Sequence, residues 1–177
     1  HDGLHGASSK QGDAPLQAGL HHLRVDWFNK TGGAELAPVF TELGTYHDGF
    51  YGEFMGRDAI ADMIDNYFRR DAEAFVWDMY EQAHSGAIGY ARYRFGYTSK
   101  LDGRAGTRVV FTGISRFVLE GDLIANYTEI FDPGVSMTQL GFSAERIAKR
   151  ARRSAQALRG EPEMEKFLAG ADVTLSN

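Results

Sequence analysis

The stretch Gly86–Asp132, GAIGYARYRFGYTSKLDGRAGTRVVFTGISRFVLEGDLIANYTEIFD, decides the fold class. Its hydrophobic period is two, the period of a strand with one buried face. Two turn signals divide it. Lys100-Leu101-Asp102-Gly103 separates a long aromatic strand, Gly86 to Ser99, from a second strand, Arg108 to Leu119. Glu120-Gly121-Asp122 then closes a tight hairpin onto a third strand, Leu123 to Asp132. Upstream, the period changes at Asp71, and Phe75 to Gln82 reads as one more strand. Four consecutive strands joined by short turns predict an antiparallel meander.

Before Asp71 the period is helical. Arg57 opens a helix with Ile60, Met63, Ile64 and Tyr67 on its inner side. Leu16, Leu20, Leu23 and Trp27 recur at steps of four, three and four, between a start signal at Asp13 and Pro15 and a stop at Gly32-Gly33. A short irregular helix is expected over Ala34 to about Glu42, and Thr45 to Met55 reads as strand or loop. After the meander a helix runs from about Ser143 to Leu158, with Ser143 as N-cap and Glu145 in the favourable first turn. Helices first and an antiparallel sheet after them make an α+β layering of one domain, helices on one face of a curved sheet. The expected division is an N-terminal arm over 1–14, a main domain over 15–142 and a helical extension over 143–177. The arm, rich in Gly, Ser and His, is expected to lie over a neighbouring subunit.

The 177 residues are 43% hydrophobic and 24% charged, ordinary for a globular chain. No cysteine is present, which removes disulfide scaffolds, thiolate metal sites and cysteine nucleophiles. No apolar run is long enough to span a bilayer and nothing resembles a signal peptide, so the expected location is the cytoplasm. Residues 1–140 hold 12 basic and 19 acidic residues, and residues 141–177 hold 7 and 5. An acidic body does not attract phosphate backbones. The stripe Arg146, Lys149, Arg150 and Arg153 reads as a solvated helix face or as salt bridges to a partner subunit, and no nucleic-acid or membrane partner is expected. The histidines at 1, 5, 21, 22, 47 and 84 form no HxH or HExxH pattern, and the glycines form no phosphate cradle, so no metal or cofactor is expected.

This element order resembles the nuclear transport factor 2-like superfamily, in its SnoaL-like and ketosteroid-isomerase-like branches. The resemblance rests on Gly113-Ile-Ser-Arg-Phe-Val-Leu-Glu-Gly-Asp-Leu-Ile124 leading to Glu129-Ile-Phe-Asp132, and on Met55-Gly56-Arg57-Asp58-Ala59-Ile60. It implies a cone: a strongly bent sheet closed by helices around an apolar pocket. Members include isomerases, cyclases, dehydratases, lyases and epoxide hydrolases, and some only carry ligands, so the fold does not choose among them. The limonene-epoxide hydrolases of the superfamily hold a water between a tyrosine and an asparagine, beside an acid–arginine–acid trio. Counting back from Gly56-Arg57, the tyrosine and asparagine positions fall on Tyr46 and Asp48; the acid just before the Phe131-Asp132 pair falls on Glu129, and the arginine of the long strand on Arg92. The second acid falls on Arg94, so the sequence departs from that pattern at Asp48 and at Arg94.

The residues themselves lead to the same places. Tyr127, Glu129 and Phe131 share one strand face, and Tyr90, Arg92 and Arg94 share another. With both faces turned inward, Glu129 meets two guanidinium groups beside aromatics, which favours its charged form as a base. The opposite choice turns Ala91, Tyr93 and Phe95 inward and leaves both arginines in water. The reading adopted takes Glu129, Arg92, Arg94, Asp48 and Tyr46 as catalytic, with Trp27, His47, Tyr51, Tyr90, Tyr127 and Phe131 against the substrate. The predicted activity is cofactor-independent acid–base chemistry, a lyase or isomerase, on a small hydrophobic aromatic molecule. Resemblance to cofactorless SnoaL-like lyases points to C–C cleavage with loss of formaldehyde from a lignin-derived diarylpropane. The alternatives are a noncatalytic carrier, an epoxide hydrolase-like enzyme and a polyketide cyclase-like enzyme. A homodimer, or a trimer, is expected through an outer sheet face bearing Tyr93, Phe95 and Tyr97.

Overall fold

A computed structural model describes residues 36–169. The predicted helix around Leu16–Trp27, the arm over 1–14 and Trp27 itself lie outside the described residues. A 3-10 turn, Ala37–Val39, leads into β1 (Phe40–Asp48), which turns back as β2 (Gly52–Met55). The expected helix over Ala34–Glu42 is therefore cut short at Val39. Pro38 breaks the helical hydrogen-bond pattern, and the burial of Phe40 against the core is better served by a strand. Thr45–Met55, expected as strand or loop, is this hairpin: Tyr46 pairs with Phe54 and Asp48 with Gly52. The Asp48 carboxylate shapes its turn by accepting from the Phe50 and Tyr51 amides at 2.7 and 2.8 Å.

Gly56, at φ +85°, admits the chain to α1 (Arg57–Asp62). The helix continues through a π-helical stretch, Met63–Phe68, to a last turn, α2 (Arg69–Asp71). Ile60, Met63 and Ile64 are buried as their spacing predicts, and Arg57 donates from Nε to the Phe40 carbonyl at 2.8 Å, tying the helix to β1.

The meander follows as β3 (Ala72–Ser85), β4 (Ile88–Ser99), β5 (Arg108–Glu120) and β6 (Leu123–Phe131). One six-stranded sheet results, in the order β2-β1-β6-β5-β4-β3. All pairs are antiparallel except β1 with β6, which run parallel. Register shifts in β3 near Ala74 and Glu81, both at positive φ, bend that edge over the hollow. Tyr46, Ile60, Met63, Ala91, Phe117 and Tyr127 form the buried core between the sheet and α1. Asp132 caps a helix absent from the sequence reading, α3 (Pro133–Gln139), by accepting from the Gly134 amide at 2.8 Å. Then comes α4 (Ala144–Arg159), with Ser143 as its N-cap accepting from the Arg146 amide. Among the described residues, no helix is long and apolar enough to cross a membrane.

One glycine decides the inner surface. Tyr93 on β4 faces Gly113 on β5, which faces Phe131 on β6. A β-carbon on Gly113 would stand 2.5 Å from the Tyr93 hydroxyl and 2.7 Å from the Ile130 carbonyl oxygen. The bare backbone lets the Tyr93 ring cross β5 and reach β6. Gly113→Ala is expected to destabilise the fold by about 1–3 kcal/mol through overpacking. Chemical denaturation measures this, and an unchanged midpoint would mean that Tyr93 moves aside without cost.

Candidate active site

Alternation along the strands brings Tyr46 and Asp48 from β1, Tyr93 from β4, Ser115 from β5 and Tyr127 and Glu129 from β6 to one inner surface. Glu129 is the centre. Its Oε2 accepts from the Tyr93 hydroxyl at 2.9 Å and from the Tyr127 hydroxyl at 3.3 Å, and its Oε1 accepts from the Gly49 amide at 3.4 Å. The Ser115 and Tyr127 hydroxyls lie 2.9 Å apart. With the Tyr127 proton directed at Glu129, Ser115 donates to Tyr127. The Tyr46 ring lies 4.4 Å from that of Tyr127, centre to centre.

Burial controls the protonation of this cluster. The Glu129 carboxyl is pushed up to about 7, first by loss of water and then by the nearby Asp48 charge, against the pull of its hydroxyl and amide donors. Desolvation raises Asp48 as well, although its two amide donors oppose the rise. Tyr46, Tyr93 and Tyr127 are all raised by burial and by the acid cluster, so they remain phenols that donate protons. Tyr51 donates to Asp71 at 2.8 Å, and Arg70 holds the same carboxylate low with two hydrogen bonds. Glu129 is thus a carboxyl titrating near neutrality between two phenols, the arrangement expected of a general base with acids at hand.

The cluster opens into a cavity of about 1380 Å³, walled by Phe50, Phe95, Phe111, Phe131, Trp77 and their neighbours. Phe111 and Phe131 stack at 4.6 Å, and Trp77 meets Tyr93 edge-on at 6.0 Å. Tyr46, Asp48, Tyr51, Glu129 and Phe131, all singled out in the sequence, line this hollow, and the Tyr127 hydroxyl bonds to Glu129.

Other candidates stand elsewhere. Arg92 and Arg94 lie on the outer face of β4, paired with Glu81 at 3.0 Å and Asp78 at 3.1 Å, and both stack over Tyr80. Tyr90 shares that exposed face, and His47 is exposed on the outer side of β1. The expected meeting of Glu129 with two arginines does not form. The reason is burial: β4 turns its more apolar set, Ala91, Tyr93, Phe95 and Tyr97, inward, and leaves both guanidinium groups where solvent and β3 carboxylates stabilise them. Asp78 opposite Arg94, and Tyr80 opposite Arg92, are the signals in β3 that this face is outward. Tyr93 is the residue the sequence reading left out of the site. Arg150 is the other, since its guanidinium donates to the Gly49 carbonyl beside Glu129. Among the described residues, no group of three or more His, Asp or Glu side chains gathers to hold a metal.

The profile of the SnoaL-like domain family matches residues 24–127. Solved structures agree in fold. A hypothetical protein from Catenulispora acidiphila with a ketosteroid isomerase-like fold, in complex with trimethylamine, matches at TM-score 0.59 and 19% identity, over 66% of this chain and 88% of its own. A SnoaL-like protein from Jannaschia matches at TM-score 0.53 and 11% identity, over 61% and 77%. An LEH-like epoxide hydrolase from M. tuberculosis matches at TM-score 0.50 and 14% identity, over 61% and 76%. No curated protein matches the chain.

Proposed function

The chain belongs to the SnoaL-like domain family, and from that premise we propose that its cone is the active site of a cofactor-independent acid–base enzyme, a lyase or isomerase acting on a hydrophobic aromatic substrate. The observation that carries the reading is Glu129, a carboxyl near neutral pH held by two phenols at the base of an aromatic hollow. A cavity of about 1380 Å³ exceeds what a one-ring molecule fills, and supports a substrate with two rings. Glu129 takes a proton, Tyr93 or Tyr127 steadies the developing negative oxygen, and Tyr46 returns a proton to the leaving group.

The finer reading is loss of formaldehyde from a diarylpropane diol. Glu129 removes the proton of the terminal hydroxyl, and the C–C bond to that carbon breaks, releasing formaldehyde. The electron pair forms a C=C bond between the two ring-bearing carbons, and the second hydroxyl departs as water with a proton from Tyr46. Epoxide opening and polyketide cyclisation are rival reactions for the same base. The outward position of Arg92 disfavours the former, since the arginine of the acid–arginine–acid trio is missing from the hollow. Mass spectrometry after incubation with two-ring aromatic diols tests the reading. Conversion that depends on Glu129 supports it. Recovery of every bound ligand unchanged replaces it with a carrier.

A homodimer belongs to the same proposal, through a different set of residues from those expected. Tyr93, Phe95 and Tyr97 line the cavity, whereas the outer face carries Val76, Val110, Ile114 and Ile130, the last 79% exposed. Light scattering is expected to give twice the 19.6 kDa chain mass, and Ile114→Glu with Ile130→Glu to give the monomer. A native monomer at micromolar concentration would contradict this.

A further inference from the structure

The cationic stripe of α4 faces the cavity. Arg146, Lys149, Arg150 and Arg153 recur at one helical face and line the hollow that Glu129 closes at its base. By the same helical period, Ala144, Ala148, Ala151 and Ala155 occupy the opposite face. A helix that carried these charges only for hydration would turn them away from an aromatic cavity. This one does the reverse. Among the described residues, no carboxylate forms an ion pair with any of the four. Arg146 lies over the Phe142 ring at 4.4 Å, and Arg150 bonds to the Gly49 carbonyl and to Ser154. Lys149 and Arg153 have no partner among the described residues. Of the carboxylates that line the same hollow, Arg70 and Tyr51 take Asp71, Glu145 sits at the N-terminal turn of α4, Asp48 and Glu129 accept from the amides and hydroxyls already described, and Glu73 is exposed on β3.

We propose that this rim binds the carboxylate of an aromatic acid, with the rings of the substrate in the hollow and its reacting carbon at Glu129. The inference rests on the acid–base reading of the cone and adds the substrate class. Clustered like charges at the mouth of a low-dielectric hollow raise the local concentration of anions and strengthen each contact. Gly49 links the two ends, since its carbonyl accepts from Arg150 while its amide donates to Glu129. An anion seated on the stripe therefore lies one residue's backbone away from the base.

Two matched probes test this, biphenyl-4-carboxylate and biphenyl-4-carboxamide, titrated against tryptophan fluorescence, with Trp77 in the cavity wall. The native protein is expected to prefer the carboxylate roughly tenfold at low salt, and to lose most of that preference in about 0.5 M salt. In Lys149→Gln/Arg153→Gln the preference disappears while carboxamide affinity stays unchanged, which also reports an intact cavity. Equal affinity for the two probes in native protein, or a preference that survives in the variant, overturns the proposal and leaves the acid–base reading standing. Binding of neither probe overturns both. A carboxylate preference lost in the variant, together with full turnover in Glu129→Gln, supports the rim and overturns only the acid–base reading.

Discussion

Replacing Glu129 by Gln is expected to remove turnover, by roughly a hundredfold or more, while the cone stays folded. Gln keeps the shape, and its carbonyl oxygen still accepts from Tyr93 and Tyr127, which hold Glu129 at 2.9 and 3.3 Å, at the cost of the longer 3.4 Å bond from the Gly49 amide, which the Gln NH2 cannot accept. What it loses is a group able to take a proton. The same substitution is expected to change stability in a pH-dependent way. Glu129 titrates at about 7 in the fold against an ordinary 4.5, because burial opposes its charge. Below the unfolded value both states are protonated, and the fold bears no cost. As pH rises through the window from 4.5 to 7 the unfolded chain releases the proton first, and stability falls. Above the folded value the full cost remains, on the order of 3 kcal/mol from the relation between pKa shift and free energy. The variant should therefore gain on the native protein between pH 4 and pH 8.5 in urea unfolding. A constant difference across that range would put the carboxyl in water, and undiminished turnover would take Glu129 out of the chemistry.

The second large effect is on the pH profile. With Glu129 as base, kcat/KM is expected to rise with pH and to level off above about 7. Asp48→Asn should move that inflection toward acid. The Asp48 charge is the second cause of the raised Glu129 value, and its removal makes ionisation easier. Asn retains an oxygen for the Phe50 and Tyr51 amides, so the turn survives. Activity at pH 6 relative to pH 8 should rise several-fold. Tyr93→Phe should move the inflection the other way, since the Tyr93 hydroxyl stabilises the ionised carboxylate. Opposite displacements from two neighbours are hard to obtain unless the titrating group is Glu129 itself. Profiles that superimpose in all three proteins would assign the inflection to another residue.

Much of this architecture is local and stands in the chain order of residue types. The turns at Lys100–Gly103 and Glu120–Asp122, the strands on either side, the helix from Arg57 and the Ser143 cap are each set by neighbours within a few positions. Glu129 stood out because an acid flanked at alternate positions by Tyr127 and Phe131 shares its strand face with aromatics. Three features could not be read that way. The parallel pairing of β1 with β6 joins segments about eighty positions apart, and no local signal encodes it. The inward face of β4 depends on which residue set buries more apolar surface once β3, with Asp78 and Glu81, lies beside it. The stripe on α4 is legible as a stripe, but its direction is fixed only when the helix docks over the mouth of the cone. Periodicity along the chain fixes which side chains travel together. Which of them leave water is settled by the surface each element meets, because burial free energy belongs to the contact and not to the strand or helix alone.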